Sequence, residues 1–127
     1  MDPARLKKME LFSTLSEKEL DQVAELAEEM SVEEGRELIV DNTSANRLLA
    51  IEEGSARVDR EGETVATLSA GDVVGETALL ERSRRNAAVV ATSPMRLIYF
   101  AGSAVRRLRK EIPDLDERLQ ALAAERG

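Results

Sequence analysis

Short apolar segments separated by turns fill the middle of the chain, and this alternation restricts the possible folds most strongly. The segments have the length of strands, and turns recur at intervals of about 8–12 residues, a spacing typical of barrels and jelly rolls. Gly35, Gly54 and Gly62 lie in three of these turns, where glycine tolerates backbone angles that other residues avoid. The predicted strands are 37–40, 47–52, 55–58, 64–68, 73–74, 87–92 and 96–101.

A helical pattern precedes these strands. Ser16 and Glu19 have the spacing of a capping box, in which each side chain accepts a hydrogen bond from the other residue's backbone N–H. Apolar residues then recur at helical spacing, namely Leu20, Val23, Leu26, Ala27 and Met30. The sequence therefore predicts a helix over about residues 17–29 that buries this stripe.

Two further helices are predicted after the strands. Ser103 is a candidate cap for a helix over residues 104–110, and Asp114 is a candidate cap for a second helix after the interruption at Pro113. The second helix carries a stripe of Leu115, Leu119 and Leu122, which we interpret as core. The predicted order is therefore a helix, about eight strands with a short helix embedded late, and two helices.

Residues 73–89 carry the candidate binding chemistry. Gly75 follows a short apolar strand and permits a sharp turn that leaves the first N–H groups of a helix free to bind an anion. Arg82, Arg84 and Arg85 follow, and an arginine fork binds an anion through two parallel hydrogen bonds. Glu76 needs a different partner, such as a sugar hydroxyl. The pattern predicts a small ligand with one phosphate and a nearby free hydroxyl.

Composition excludes several other functions. The chain has 127 residues, which suits a single domain over 1–127. It contains no histidine and no cysteine, so the usual general bases, nucleophiles and zinc ligands are missing, and an enzyme is not expected. The net charge of −7 argues against nucleic-acid binding. No apolar run is long enough to span a bilayer and no signal peptide is evident, so we expect a cytoplasmic protein without membrane association.

Residues 74–89 resemble the phosphate-binding cassette of the cyclic nucleotide-binding domain family. That pattern reads Phe-Gly-Glu-Leu-Ala-Leu, a short variable turn, and Pro-Arg-x-Ala-Thr-Val; here it reads Val-Gly-Glu-Thr-Ala-Leu-Leu, Glu-Arg-Ser, and Arg-Arg-Asn-Ala-Ala-Val. The nine-residue step from Glu76 to Arg85 is the family spacing. The resemblance implies a mainly β fold with flanking α-helices. This is an eight-stranded, jelly-roll-like β-roll with an N-terminal helical segment, an embedded phosphate-binding helix and two C-terminal helices.

The resemblance also implies a ligand and its contacts. The ligand would be cyclic AMP, with cyclic GMP as the alternative, and Glu76 would bind the ribose 2′-hydroxyl while Arg85 binds the cyclic phosphate. Backbone N–H groups in the same segment would assist, at Gly75, Thr77, Ala78, Asn86 and Ala87. The sequence departs from the family pattern at three positions, with Arg84 for proline, Ala88 for threonine and Val74 for an aromatic residue.

Two other classes of function remain open at this stage. One is a degenerate domain that serves only as an interaction or dimerisation module, and the other is a β-roll enzyme or metal-binding barrel of the cupin type. A sensor of this family would act on an effector protein or a second copy of itself through its C-terminal helices, either free-standing or within a larger protein. The basic cluster at residues 106–110 is interpreted as a solvated helix face, with a docking face as the alternative.

Overall fold

In the computed structural model, residues 1–39, 47–75 and 88–126 are described. Two short 3₁₀ helices come first, at Pro3–Lys8 and Glu10–Phe12. The helices that follow are α1 (Glu17–Leu26), α2 (Gly102–Glu111) and α3 (Pro113–Arg126). The strands are β1 (Glu28–Val32), β2 (Glu37–Ile39), β3 (Arg47–Glu53), β4 (Ala56–Arg60), β5 (Glu63–Leu68), β6 (Val73–Val74), β7 (Ala88–Ala91) and β8 (Met95–Ala101).

The strands form two four-stranded antiparallel sheets. The first sheet has the order β1-β8-β3-β6, and the second has the order β2-β7-β4-β5. This arrangement, with helices before and after it, confirms the predicted mainly β roll. Within the described ranges, no helix is both long and apolar enough to cross a membrane.

Strands β3 and β8 of the first sheet carry buried side chains on both faces. Side chains of a strand point alternately to opposite faces. In β3, accordingly, Leu48 joins the core shared with the helices, whereas Leu49 joins the core between the two sheets. Phe12 of the N-terminal segment packs against Phe100 of β8 on the helical side, with ring centroids 5.6 Å apart in an edge-to-face arrangement. Burial on both faces explains why β3 and β8 are nearly continuous apolar runs.

The predicted start of α1 is confirmed, but its predicted end is wrong. The Glu19 backbone N–H donates to Ser16 Oγ at 3.2 Å, and the Ser16 backbone N–H donates to Glu19 Oε1 at 2.9 Å. The helix ends at Leu26, because Ala27 is extended and residues 28–32 form β1. Met30 of that strand pairs with Leu97 of β8. Pairing with a distant strand therefore overrides the helical preference of this glutamate-rich stretch.

The two C-terminal helices form as predicted, but their predicted caps are wrong. Helix α2 begins at Gly102 without a side-chain cap, so Ser103 lies inside its first turn. Helix α3 begins at Pro113, whose missing N–H costs nothing at a first helical position. Ile112 is fully buried between the two helices. Its N–H donates to the Leu108 carbonyl of α2, and its carbonyl accepts from the N–H groups of Leu115 and Asp116 in α3.

The predicted hairpin turn at Glu61 and Gly62 is confirmed. Both residues have positive φ, 54° and 82°, which matches the twist that a two-residue loop between antiparallel strands requires. The predicted turn at residues 41–46 lies outside the described residues.

Gly54 lies in a turn that packs closely against Pro94 and Met95. Its φ is +97°, and a Cβ atom placed there would lie 2.4 Å from the Pro94 carbonyl oxygen. Gly35 has a similar φ of +89°, but a Cβ atom placed there would have nothing within 4 Å. Gly35→Ala therefore carries only the free-energy cost of the left-handed backbone, whereas Gly54→Ala also carries the cost of a steric clash.

We expect Gly54→Ala to destabilise the fold much more than Gly35→Ala. The Gly35 variant should lose roughly 1–2 kcal/mol of unfolding free energy from backbone strain alone. The Gly54 variant should lose about 3 kcal/mol or more, because a rigid carbonyl must also move. Urea denaturation of both variants measures the difference, and equal losses would contradict the steric explanation.

Arg5 ties the N-terminal segment to the first sheet. Its Nε and Nη2 donate to the two carboxylate oxygens of Glu52 at 2.6 and 2.5 Å, and Nη2 also donates to Glu29 at 2.5 Å. The hydrogen bonds from Arg5 lower the pKa of Glu52, although partial burial opposes the shift. Glu52 therefore contributes stability while it is ionised.

We expect Glu52→Gln to cost roughly 1–2 kcal/mol of unfolding free energy at neutral pH. The native pKa of Glu52 is lowered, so this advantage is complete above the ordinary glutamate pKa of about 4.3. It is lost as the pH falls through the lowered native value. Glu53→Gln, on the exposed neighbour, is the matched control and should show no such difference. Thermal unfolding from pH 7 to pH 2 tests this, and a gap that persists in acid would contradict it.

Candidate functional site

The site predicted from the sequence lies in residues 75–87. Gly75 belongs to the described structure. The other predicted contacts lie outside the described residues, namely Glu76, Thr77, Ala78, Arg85, Asn86 and Ala87, and so do Arg82, Arg84 and the predicted embedded helix. The described structure contains the strands that precede and follow this segment, β6 and β7.

Gly75 makes the turn that the sequence predicts at this position. It follows β6 directly and has a φ of +102°. This left-handed region is open to glycine at little cost and is strained for other residues. The chain therefore leaves the first sheet sharply at the point where the candidate site begins.

The candidate segment connects the two sheets. Its first flanking strand, β6, belongs to the first sheet, where Val74 pairs with Leu49 of β3. Its second flanking strand, β7, belongs to the second sheet, where Ala88 pairs with Asp59 of β4. Both ends are therefore anchored on paired strands. Segments anchored in this way on a rigid scaffold are common places for binding residues.

Apolar side chains border both anchoring points. Val74 and Val89 are buried in the core between the sheets, together with Leu49. Val58, which pairs with Val89, is only partly buried against the same core, and so is Leu68 of β5. Apolar walls of this kind suit the flat face of an aromatic ring, whereas charged groups of a ligand need polar partners.

Asp59 lies opposite the start of β7, and both of its carboxylate oxygens are engaged. Arg57 Nε donates to Oδ2 at 2.9 Å, and Thr64 Oγ1 donates to Oδ1 at 2.8 Å. The hydrogen bond from Arg57, followed by that from Thr64, lowers the pKa of Asp59. This cluster supports the β4–β5 hairpin beside the site. Sequence analysis missed it because its members belong to two strands.

The Leu115, Leu119 and Leu122 stripe of α3 is buried in the helical core, as predicted. Arg118 of the same helix is an additional anchor that sequence analysis missed. Its Nε donates to the Leu11 carbonyl at 3.1 Å, and its Nη2 donates to the Glu10 carbonyl. Backbone carbonyls leave no sequence signal, so this contact depends on the tertiary structure.

The N-terminal segment that Arg118 contacts is also hydrogen-bonded to the turn before β6. The Glu10 backbone N–H donates to the Gly71 carbonyl at 3.2 Å, and Gly71 lies just before β6. The segment 10–12 thus contacts both α3 and the turn that leads into the candidate site.

The described residues contain no group of three or more acidic side chains, histidines or cysteines placed to hold a metal ion.

Comparison with known proteins gives the same family over most of the chain. A family model described as the cyclic nucleotide-binding domain matches residues 29–111. A cAMP-dependent protein kinase regulatory subunit of Yarrowia lipolytica is 31% identical over 111 residues, which cover 86% of this chain and 30% of that protein. A cGMP-dependent protein kinase of Caenorhabditis briggsae is 29% identical over 107 residues, covering 84% of this chain and 14% of that protein. The chain thus spans less than a third of the length of these relatives.

Solved structures show the same architecture. The catabolite activator protein of Thermus thermophilus superposes with a TM-score of 0.83 at 26% identity, covering 91% of this chain and 57% of that one. The regulatory domain of Toxoplasma gondii PKA, crystallised with cAMP, superposes with a TM-score of 0.85 at 23% identity, covering 97% of this chain and 48% of that one. With the family match over residues 29–111, these findings show that the chain belongs to the cyclic nucleotide-binding domain family.

Proposed function

We propose that the chain binds a cyclic nucleotide, cyclic AMP in preference to cyclic GMP, through residues 75–87. Glu76 accepts a hydrogen bond from the ribose 2′-hydroxyl, and Arg85 donates to the cyclic phosphate. Backbone N–H groups complete the phosphate site, at Gly75, Thr77, Ala78, Asn86 and Ala87. The observation that carries this proposal is the nine-residue spacing of Glu76 and Arg85 inside the matched family range.

The residue types suit the chemistry of this ligand. A cyclic phosphate diester carries one negative charge, which one guanidinium and several N–H groups satisfy. The ribose hydroxyl is a donor that a carboxylate accepts. The partly buried Val58 and Leu68 offer an apolar surface to the base.

The cAMP-dependent regulatory subunits among the relatives support the choice of cyclic AMP, whereas the cGMP-dependent kinases among them support the alternative, cyclic GMP. Asn86 carries both donors and an acceptor, so it suits either the phosphate or the base. Calorimetry with cyclic AMP, cyclic GMP and plain AMP distinguishes the choices. We expect the tightest binding for cyclic AMP and the weakest for AMP.

The proposed role is that of a sensor without catalysis, acting on an effector protein or a second copy through the C-terminal helices. A ligand shifts an equilibrium between two arrangements only by its difference in affinity for them. In the arrangement described here, α3 is held by Arg118 on the N-terminal segment and by Asp116 on Arg109 of α2. Nucleotide binding would act by favouring or opposing these contacts.

A second candidate function is an interaction or dimerisation module that has lost its ligand. The departures at Arg84 and Ala88 favour it, because the family threonine at the second position would supply a hydroxyl that alanine lacks. Ala88 is only partly buried at the start of β7. This candidate predicts no measurable heat with any of the three nucleotides.

We expect Arg85→Ala to abolish tight nucleotide binding and to leave the fold intact. Removing the guanidinium from a buried phosphate should cost roughly 2–5 kcal/mol, or about 30- to several-thousand-fold in Kd. Arg85→Lys should also lose much of the affinity, because a point charge does not reproduce the fork. Calorimetry gives the Kd, and thermal unfolding checks the fold.

Arg82→Ala is the matched control for the loss of charge in the same segment. It should retain affinity within about twofold of the wild type, since the proposed ligand contacts do not include Arg82 and a charge that makes no direct contact contributes little. Equal losses in the two alanine variants, or wild-type affinity in Arg85→Ala, would contradict the assignment of the phosphate to Arg85.

We expect Glu76 and the ribose 2′-hydroxyl to be energetically coupled. A 2′-deoxy cyclic nucleotide should bind the wild type roughly tenfold or more weakly, because the carboxylate is left without its donor. The same ligand change should cost much less in Glu76→Ala, and the double-mutant cycle isolates the pair. Glu81→Ala is the control carboxylate. Strictly additive losses would show that Glu76 has another partner.

A further inference from the structure

The outer face of α2 and the start of α3 form an open cleft of about 750 Å³. Its lining consists of Ser103, Arg106, Arg107, Arg109, Lys110, Glu111 and Asp116. The described lining lies on the helical layer, and Gly75, the one described residue of the nucleotide site proposed above, does not belong to it. Its function is therefore a separate question.

Positive charge dominates this cleft in a chain whose net charge is −7. The lining has four cationic side chains and two acidic ones. Arg107 pairs with Glu111 at 3.1 Å, and Arg109 pairs with Asp116 at 2.5 Å. Arg106 and Lys110 form no ion pair with any residue in the ranges that the structure describes, and both are exposed. Two cations one helical turn apart thus remain available on one face of α2.

We propose that this cleft docks an acidic segment of a partner protein, whose carboxylates pair with Arg106 and Lys110. Charge complementarity selects this occupant. An acidic segment gains local attraction, and arginine binds carboxylates through two hydrogen bonds. Nucleic acid and anionic membranes present extended arrays of negative charge, which the acidic remainder of the chain repels.

The cleft also spans the joint between α2 and α3. The Arg109–Asp116 ion pair bridges the two helices on either side of Ile112, and both side chains are about 30% exposed. A docking carboxylate competes with Asp116 for Arg109. Removing the Asp116 charge therefore makes a third cation available to the acidic segment.

The test measures binding of a fluorescein-labelled peptide of alternating Asp and Glu, about ten residues long, to the whole chain without nucleotide. The matched peptide of Asn and Gln is the control ligand. We expect the acidic peptide to bind the wild type, with an affinity that falls as salt is added. Because no nucleotide is present, failure here leaves the proposed nucleotide site untouched.

Charge reversal in Arg106→Glu/Lys110→Glu should weaken peptide binding at least about tenfold. Lys18→Glu/Arg36→Glu, at two exposed cations outside the cleft, makes the same change in net charge and should weaken it less than about threefold. Thermal unfolding confirms that both double variants fold. Equal losses in the two, or wild-type affinity in the first, would overturn the proposal.

A second pair of variants tests whether the docked carboxylate competes with Asp116 for Arg109. Asp116→Asn should tighten peptide binding roughly threefold or more, because Arg109 is released. Asp114→Asn, at an exposed aspartate outside the cleft, removes the same charge and should change binding less. Equal effects would overturn the role of Arg109. Comparable binding of duplex DNA or phosphatidylserine vesicles would overturn the choice of an acidic protein segment.

Discussion

Strands β3 and β8 lie side by side in the first sheet, and both faces of this pair are buried. Leu48 and Phe100 pack against the helices, whereas Leu49 and Leu97 pack against the second sheet. Each buried aliphatic or aromatic side chain contributes roughly 1.5–3 kcal/mol, so the pair stabilises two layers at once. Helices and second sheet are therefore positioned relative to each other through one rigid element.

The pair of strands β3 and β8 also positions the chain that leads into the candidate site. The β3 backbone at Ile51 exchanges hydrogen bonds with the Gly71–Asp72 turn, at 2.8 and 2.9 Å. That turn leads into the two-residue strand β6, after which the chain leaves the sheet at Gly75. The segment rejoins the structure at β7, in the other sheet. The strands on either side of residues 76–87 thus belong to two sheets whose separation is set by packed side chains.

Arginines make polar contacts within the helical layer and from this layer to the first sheet. Arg5 binds carboxylates of β1 and β3, Arg109 binds Asp116 across the α2–α3 joint, and Arg118 binds backbone carbonyls of the N-terminal segment. Guanidinium groups suit these positions because they offer several donors in a planar fork. The polar contacts of α3, through Asp116 and Arg118, are partly exposed and add to its buried leucine stripe. Such contacts are weaker than the buried core and are more readily exchanged for contacts with a ligand or partner.

The sequence by itself determined the strand and turn pattern, the capping box at Ser16, the leucine stripe of α3 and the motif at residues 75–87. These features depend on neighbouring residues, through alternation, helical spacing and the backbone freedom of glycine. Only the tertiary structure decided that residues 28–32 form a strand and that Arg5 and Arg118 bind where they do. Each of these depends on a partner far away in the chain. Local propensity carries no information about such a partner, because the pairing energy exists only once the fold has brought the two together.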